Sequence, residues 1–221
     1  MSQVSFDLFW SMRSPYCYLA LDRLLEIRER FDVEIKVRVV YPLAIRQPDF
    51  FKIRASKHYR SYNLLDTQRW SQYLKVPFRR PVPDPIVQEL STGVVADQQP
   101  YIYRLARVAE LATQAGKGME FLNHVVRMLW DGSTDNWHEG DHLSRAINRA
   151  GLDGKTLLDR AETDVDRIDA AIAINEAAQE KAGHSGTPLM VFKGEPFFGQ
   201  DRIKLLIWRL KESGLRARNF S

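Results

Sequence analysis

Val4-Ser5-Phe6-Asp7-Leu8-Phe9-Trp10, then a short turn, then Ser14-Pro15-Tyr16-Cys17 decides how this chain reads. The first seven residues are apolar enough for a strand buried on both faces. Ser14 is a favoured helix cap and Pro15 a favoured first helical residue. A helix therefore starts here and runs to Phe31, with Tyr18, Leu21, Leu24 and Leu25 on one face. Val33, Ile35, Val37 and Val39 then alternate with Glu34, Lys36 and Arg38, which predicts a second strand. Strand, helix and strand of this length make a βαβ unit.

From Leu43 the pattern turns helical. Tyr59 to Leu74 reads as a helix, and prolines at 77, 81, 83 and 85 break the stretch from Lys75 to Val87 into a loop. After Pro100, apolar stripes at Leu105/Val108/Ala112, Phe121/Val125/Met128/Leu129 and Leu143/Ile147/Ala150 predict successive helices. Strand character returns at Leu189-Met190-Val191-Phe192, a tight turn at Lys193-Gly194-Glu195 leads into Pro196-Phe197-Phe198, and a last helix starts near Gln200. The expected fold class is α/β. Residues 1–43 and 183–221 form a βαβ and ββα sheet unit, and residues 44–182 an all-helical insertion.

Composition narrows the setting. Among 221 residues the net charge is +4, and the one cysteine, Cys17, excludes an internal disulfide and a multi-cysteine metal site. No apolar run approaches the roughly 20 residues that span a bilayer, and the first residues read as a strand rather than a secretion signal. These features point to a reducing, cytoplasmic setting. The basic residues near the C-terminus suit a helix end, with no aromatic interleaving of a nucleic-acid site. His138 and His142 are four apart with no third ligand, so no metal is expected.

Ser14 carries the chemistry. A hydroxyl cannot form a disulfide, but at a helix N-terminus it can, with the free backbone N–H groups, hold an anion such as a thiolate. A free thiol has a pKa near 8.5, so stabilising its ionised form activates it as a nucleophile. Cys17, one turn inside the helix, is the alternative redox group. Gly186-Thr187-Pro188 stands just before the third strand, and Gly199-Gln200-Asp201-Arg202 opens the last helix.

These segments, with Tyr18-Leu19-Ala20, Tyr62, Asp66-Thr67-Gln68-Arg69-Trp70 and Ala150-Gly151-Leu152-Asp153, run in one order along the chain. That ordered set resembles the 2-hydroxychromene-2-carboxylate isomerase and kappa-class glutathione transferase branch of the DsbA-like thioredoxins. The resemblance implies a thioredoxin-like fold with a helical insertion, glutathione as cofactor, and a homodimer. It implies that Ser14 faces the glutathione sulfur. Thr187 and Pro188 match the cis-proline loop, whose backbone pairs with the cysteinyl unit, and Gln200, Asp201 and Arg202 match the γ-glutamyl site. The implied reaction is reversible thiolate addition to a small unsaturated carboxylate of aromatic catabolism, with rotation about the saturated bond. Arg46, Lys57 and Arg202 are carboxylate candidates on charge alone. The family asparagine after the second strand is missing from Leu43-Ala44-Ile45-Arg46-Gln47-Pro48-Asp49-Phe50-Phe51. Rival readings are a kappa-type transferase or peroxidase on the same thiolate, a monothiol oxidoreductase using Cys17, and a binding protein without turnover.

Overall fold

β1 (Val4–Trp10) leads through Ser14 into α1 (Pro15–Arg30), and the chain returns as β2 (Val33–Val39). The computed structural model describes residues 3–49, 57–89 and 92–218. β1 and β2 run parallel, from Val4 opposite Val33 to Trp10 opposite Val39. β3 (Leu189–Phe192) lies antiparallel to β1, and β4 (Glu195–Phe198) antiparallel to β3, giving the order β2-β1-β3-β4. The β3–β4 turn has positive φ at Lys193 (50°) and Gly194 (82°), which matches the twist of a two-residue hairpin.

Between β2 and β3 the named elements are all helical: α2 (Leu43–Arg46), α3 (Lys57–Leu74), α4 (Ile102–Gln114), α5 (Gly118–Phe121, continued through Leu122–Val126 and Arg127–Trp130), α6 (His142–Arg149), α7 (Gly154–Thr163) and α8 (Val165–Lys181). The middle stretch of α5, Leu122–Val126, is a π-helical turn. A 3₁₀ turn, Gln200–Arg202, precedes α9 (Ile203–Glu212). The βαβ and ββα halves thus bracket a helical segment, as the sequence predicts.

One continuous core joins the sheet, α1 and the helical segment; Leu8, Trp10, Tyr18, Leu105, Phe121 and Trp130 belong to it. On the opposite face of the sheet, Phe9, Val40 and Leu189 form a second cluster covered by Ala178 and Ala182. At the Leu8–Trp10 end of β1 both faces are therefore dry and the sequence is continuously apolar, whereas Ser5 and Asp7 alternate with Val4 and Phe6 and stay partly exposed. β2 does alternate, with Glu34, Lys36 and Arg38 turned away from the core positions.

His138 and His142 lie on different elements. α6 begins at His142, while His138 sits in the preceding turn, where Gly140 takes φ of 56°. The two imidazoles do not share a helix face. His138 instead packs on Tyr101, with ring centroids 4.6 Å apart.

Candidate active site

The N-terminus of α1 is built as its sequence demands. Ser14 is extended at φ −84° and ψ 116°, and its hydroxyl oxygen accepts the Cys17 backbone N–H at 3.3 Å. The same hydroxyl donates to the Thr187 carbonyl at 3.2 Å, long for an O–H···O bond and so readily exchanged for a better acceptor. The Thr187–Pro188 peptide bond is cis. Among the described residues the Thr187 N–H has no acceptor.

Ser14 and Thr187 both line a cavity of about 600 Å³. Its walls come from the start of α1, from Pro42, Leu43 and Ala44, from the first turns of α3, and from the proline-rich loop. That loop is tied down from several sides. The Tyr18 hydroxyl donates to the Pro77 carbonyl (2.5 Å), Trp137 Nε1 to the Pro83 carbonyl (2.8 Å), and Arg79 N–H to the Trp130 carbonyl (2.8 Å). Arg13 holds it against the site through Asp84 (2.9 and 3.2 Å) and Gln88 (3.0 Å). Ser11 also lines the cavity; it is buried, and its hydroxyl has no partner among the described residues.

Cys17 lies directly beneath this surface and is fully buried. Burial pushes its thiol up to about 11, although the Ser11 backbone and the Ser14 and Thr187 side chains pull the other way. At neutral pH it is a protonated apolar group rather than a nucleophile. Iodoacetamide at pH 7.5 is therefore expected to label native Cys17 at least about 100-fold more slowly than the urea-unfolded chain. Equal rates, read by mass spectrometry, would reinstate it as a redox group.

The other predicted site residues scatter. Arg46 is not on the cavity wall: Nε donates to the Tyr41 carbonyl (2.7 Å) and Nη2 to the Ser185 carbonyl (2.8 Å). Its guanidinium is turned into the protein and is 10% exposed. Lys57 opens α3, and its side chain lies outside the described residues, as do Phe50 and Phe51 of the segment that follows β2. Gln200 is buried and its amide oxygen accepts from Arg23 of α1. Asp201 and Arg202 are exposed and pair with each other at 2.6 Å. Gly199 takes φ of 101°, and a Cβ there would stand 2.6 Å from an Asp201 carboxylate oxygen. Gln200, Asp201 and Arg202 lie outside the cavity wall, beside α1.

Sequence reasoning passed over two cavity groups. Tyr16 faces the cavity and donates to Asp66 of α3 at 2.7 Å; burial first, then that carboxylate, pushes its phenol well above the usual tyrosine range. Arg13 and Asp84, 71 residues apart, share no local signal that would pair them.

His184 borders the Thr187 loop. It stacks on Phe198 with ring centroids 3.7 Å apart, and its Nδ1 accepts the Gly186 N–H at 2.9 Å. Nδ1 is therefore unprotonated and the neutral ring carries its proton on Nε2. Burial pushes the imidazole below its ordinary 6.5. The unfolded chain then binds the proton more readily, so this contribution to stability is complete above pH 6.5 and is lost as pH falls through the lower folded value. A thermal-unfolding series is expected to give a midpoint that drops faster below pH 6.5 for the parent than for His184→Phe. Parallel curves would contradict this.

With this geometry in place, the family follows. Residues 5–211 match the DSBA-like thioredoxin domain, and the chain belongs to that family. Among solved structures it is similar to a 2-hydroxychromene-2-carboxylate isomerase, with TM-score 0.71 and 17% identity over 95% of each chain. It is also similar to a probable DsbA oxidoreductase from Streptomyces coelicolor, with TM-score 0.68 and 15% identity over 99% of this chain and 93% of that one. A third, the cytosolic disulfide reductase DsbM from Pseudomonas aeruginosa solved with GSH, has TM-score 0.57 and 16% identity over 94% of this chain and 100% of that one. No curated protein matches the chain. No described helix is long and apolar enough to cross a membrane, and no described cluster of three or more His, Cys, Asp or Glu side chains could hold a metal ion.

Proposed function

We propose that the chain is a glutathione-dependent isomerase of the 2-hydroxychromene-2-carboxylate isomerase type. The observation that carries this reading is the pairing of a serine hydroxyl at a helix N-terminus with a buried, protonated Cys17 beneath it. An active-site corner of this family without an accessible thiol has a use for a thiol brought from outside.

The residues present fit that cofactor. Thr187 offers a backbone N–H that lacks an acceptor among the described residues, the means by which an extended peptide is held as an added strand. Ser14 offers a hydroxyl whose present bond is long. In the first turn of α1, Pro15 has no N–H and the Cys17 N–H goes to Ser14, which leaves the Tyr16 N–H and the helix dipole to favour negative charge. Asp201 is exposed but paired with Arg202, so an α-ammonium that reaches its carboxylate displaces that ion pair. Bound glutathione supplies a nucleophilic thiolate that adds reversibly to a conjugated double bond. Ser14 lowers the cost of ionising that thiol by redirecting its proton from the Thr187 carbonyl. Pro15, Pro42, Leu43, Ala44, Leu64 and Ile86 line the cavity with apolar surface and limit water. Arg13 and Arg80 both reach Asp84 at the rim, so a substrate carboxylate there competes with an existing ion pair.

The same thiolate supports the transferase reading, and product analysis separates the two. An isomerase returns a product of the same mass as its substrate; a transferase returns the glutathione adduct. The family resemblance implies a homodimer, and a single cysteine suits a reducing compartment. Calorimetric titration with reduced glutathione is the direct test: saturable binding is expected, and no heat at millimolar glutathione removes the reading.

A further inference from the structure

The segment Ser185-Gly186-Thr187 is held one peptide group at a time. The Ser185 carbonyl accepts from Arg46 Nη2 at 2.8 Å, the Gly186 carbonyl from Gln179 Nε2 at 2.8 Å, and the Thr187 carbonyl from the Ser14 hydroxyl at 3.2 Å. The Gly186 N–H goes to His184 Nδ1. Three successive carbonyls are thus gripped by side chains from three different parts of the chain: α2, α8 and the cap of α1. The grip leaves little slack. A Cβ on Gly186 would stand 2.4 Å from the Phe198 ring and 2.8 Å from the His184 ring.

We propose that Arg46 is a positioning residue for the Thr187 loop, bracing it against the end of β2 so that the Thr187 backbone is preset for a ligand. The geometry asks for arginine. Nε donates to Tyr41, five residues before Arg46, while Nη2 donates to Ser185, 139 residues after it. A planar fork spans both; a lysine ammonium at the end of a flexible stem does not. The brace is anchored in turn by Glu176 of α8, whose Oε1 lies 3.8 Å from Nε and also accepts the Tyr41 N–H at 2.9 Å. The side chain is only 10% exposed, so water does not replace the lost bonds cheaply. Preorganisation of this kind acts on binding by removing the cost of ordering the loop when a ligand arrives.

The inference rests on the reading of Thr187 as a glutathione contact, and the test separates the two. Arg46→Lys and Arg46→Gln are compared with the parent at pH 7.5 by amide hydrogen exchange at Gly186 and by calorimetric titration with reduced glutathione. Both variants are expected to speed Gly186 exchange at least about tenfold and to weaken glutathione binding by about tenfold, with Leu8 and Val37 amides unchanged. The lysine variant keeps the charge and guards against a glutamine variant that fails to fold. If Gly186 exchange and affinity match the parent, or if the core amides loosen equally, Arg46 has no positioning role. If the parent itself does not bind glutathione, the proposed function fails, and Gly186 exchange alone decides the role of Arg46.

Discussion

Replacing Ser14 with alanine is expected to lower glutathione-dependent turnover by about 10- to 100-fold while the chain stays folded. A hydrogen bond to a charged group contributes about 1.5–3 kcal/mol, and about 1.4 kcal/mol corresponds to tenfold in rate. The effect falls on the ionised thiol, so the acidic limb of the pH–rate profile should move to higher pH in Ser14→Ala. Loss of the cap costs about 1 kcal/mol of stability, because the Cys17 N–H loses its side-chain acceptor. The Thr187 carbonyl also loses a donor. Ser14→Thr keeps a hydroxyl and should recover part of the rate. Steady-state kinetics and the pH profile are the measurement, and unchanged kcat/KM in the alanine variant would remove Ser14 from the chemistry.

Trp130→Ala is expected to be the most destabilising of these changes, by about 3–5 kcal/mol. Trp130 is 1% exposed and stacks with Tyr18 and Phe78, at centroid separations of 6.4 and 5.8 Å. Its Nε1 donates to the Met12 carbonyl at 3.3 Å, two residues before Ser14. Tyr18 and Phe78 also stack on each other at 6.3 Å, so truncation removes one of three mutually packed rings and orphans that carbonyl at once. Tyr18 belongs to α1 and Phe78 to the proline-rich loop, so the same substitution loosens the seat of the Ser14 turn and the loop that supplies one wall of the cavity. Trp130→Phe keeps most of the ring and loses the donor, and should cost about 1–2 kcal/mol. Urea unfolding checks both, and a loss under about 1 kcal/mol for the alanine variant would show that the neighbouring rings close over the gap.

Much of this was legible residue by residue. Ser14 and Pro15 announce a helix start through hydroxyl chemistry and a fixed φ, and both act on their nearest neighbours. The alternation of β2, the continuous apolar run of β1 and the Lys193-Gly194 turn are likewise local. Arg46 shows where that logic stops. As a cation after β2 it looked like a carboxylate binder, but in the folded chain Ser185 comes within reach and the guanidinium turns inward. Gln200 has the same history: it reads as a ligand contact until Arg23 is found on its amide oxygen. Tyr16 with Asp66, and Arg13 with Asp84, join residues 50 and 71 apart that nothing in the chain marks as partners.

The order of residues alone settled the strand–helix–strand opening, the serine cap and the helical character of the middle, because backbone preference and side-chain periodicity are decided within a few residues. Tertiary packing decided which polar groups face the cavity and which are spent on the scaffold. A buried donor must find an acceptor wherever the chain happens to bring one, and that depends on how the helices dock on the sheet.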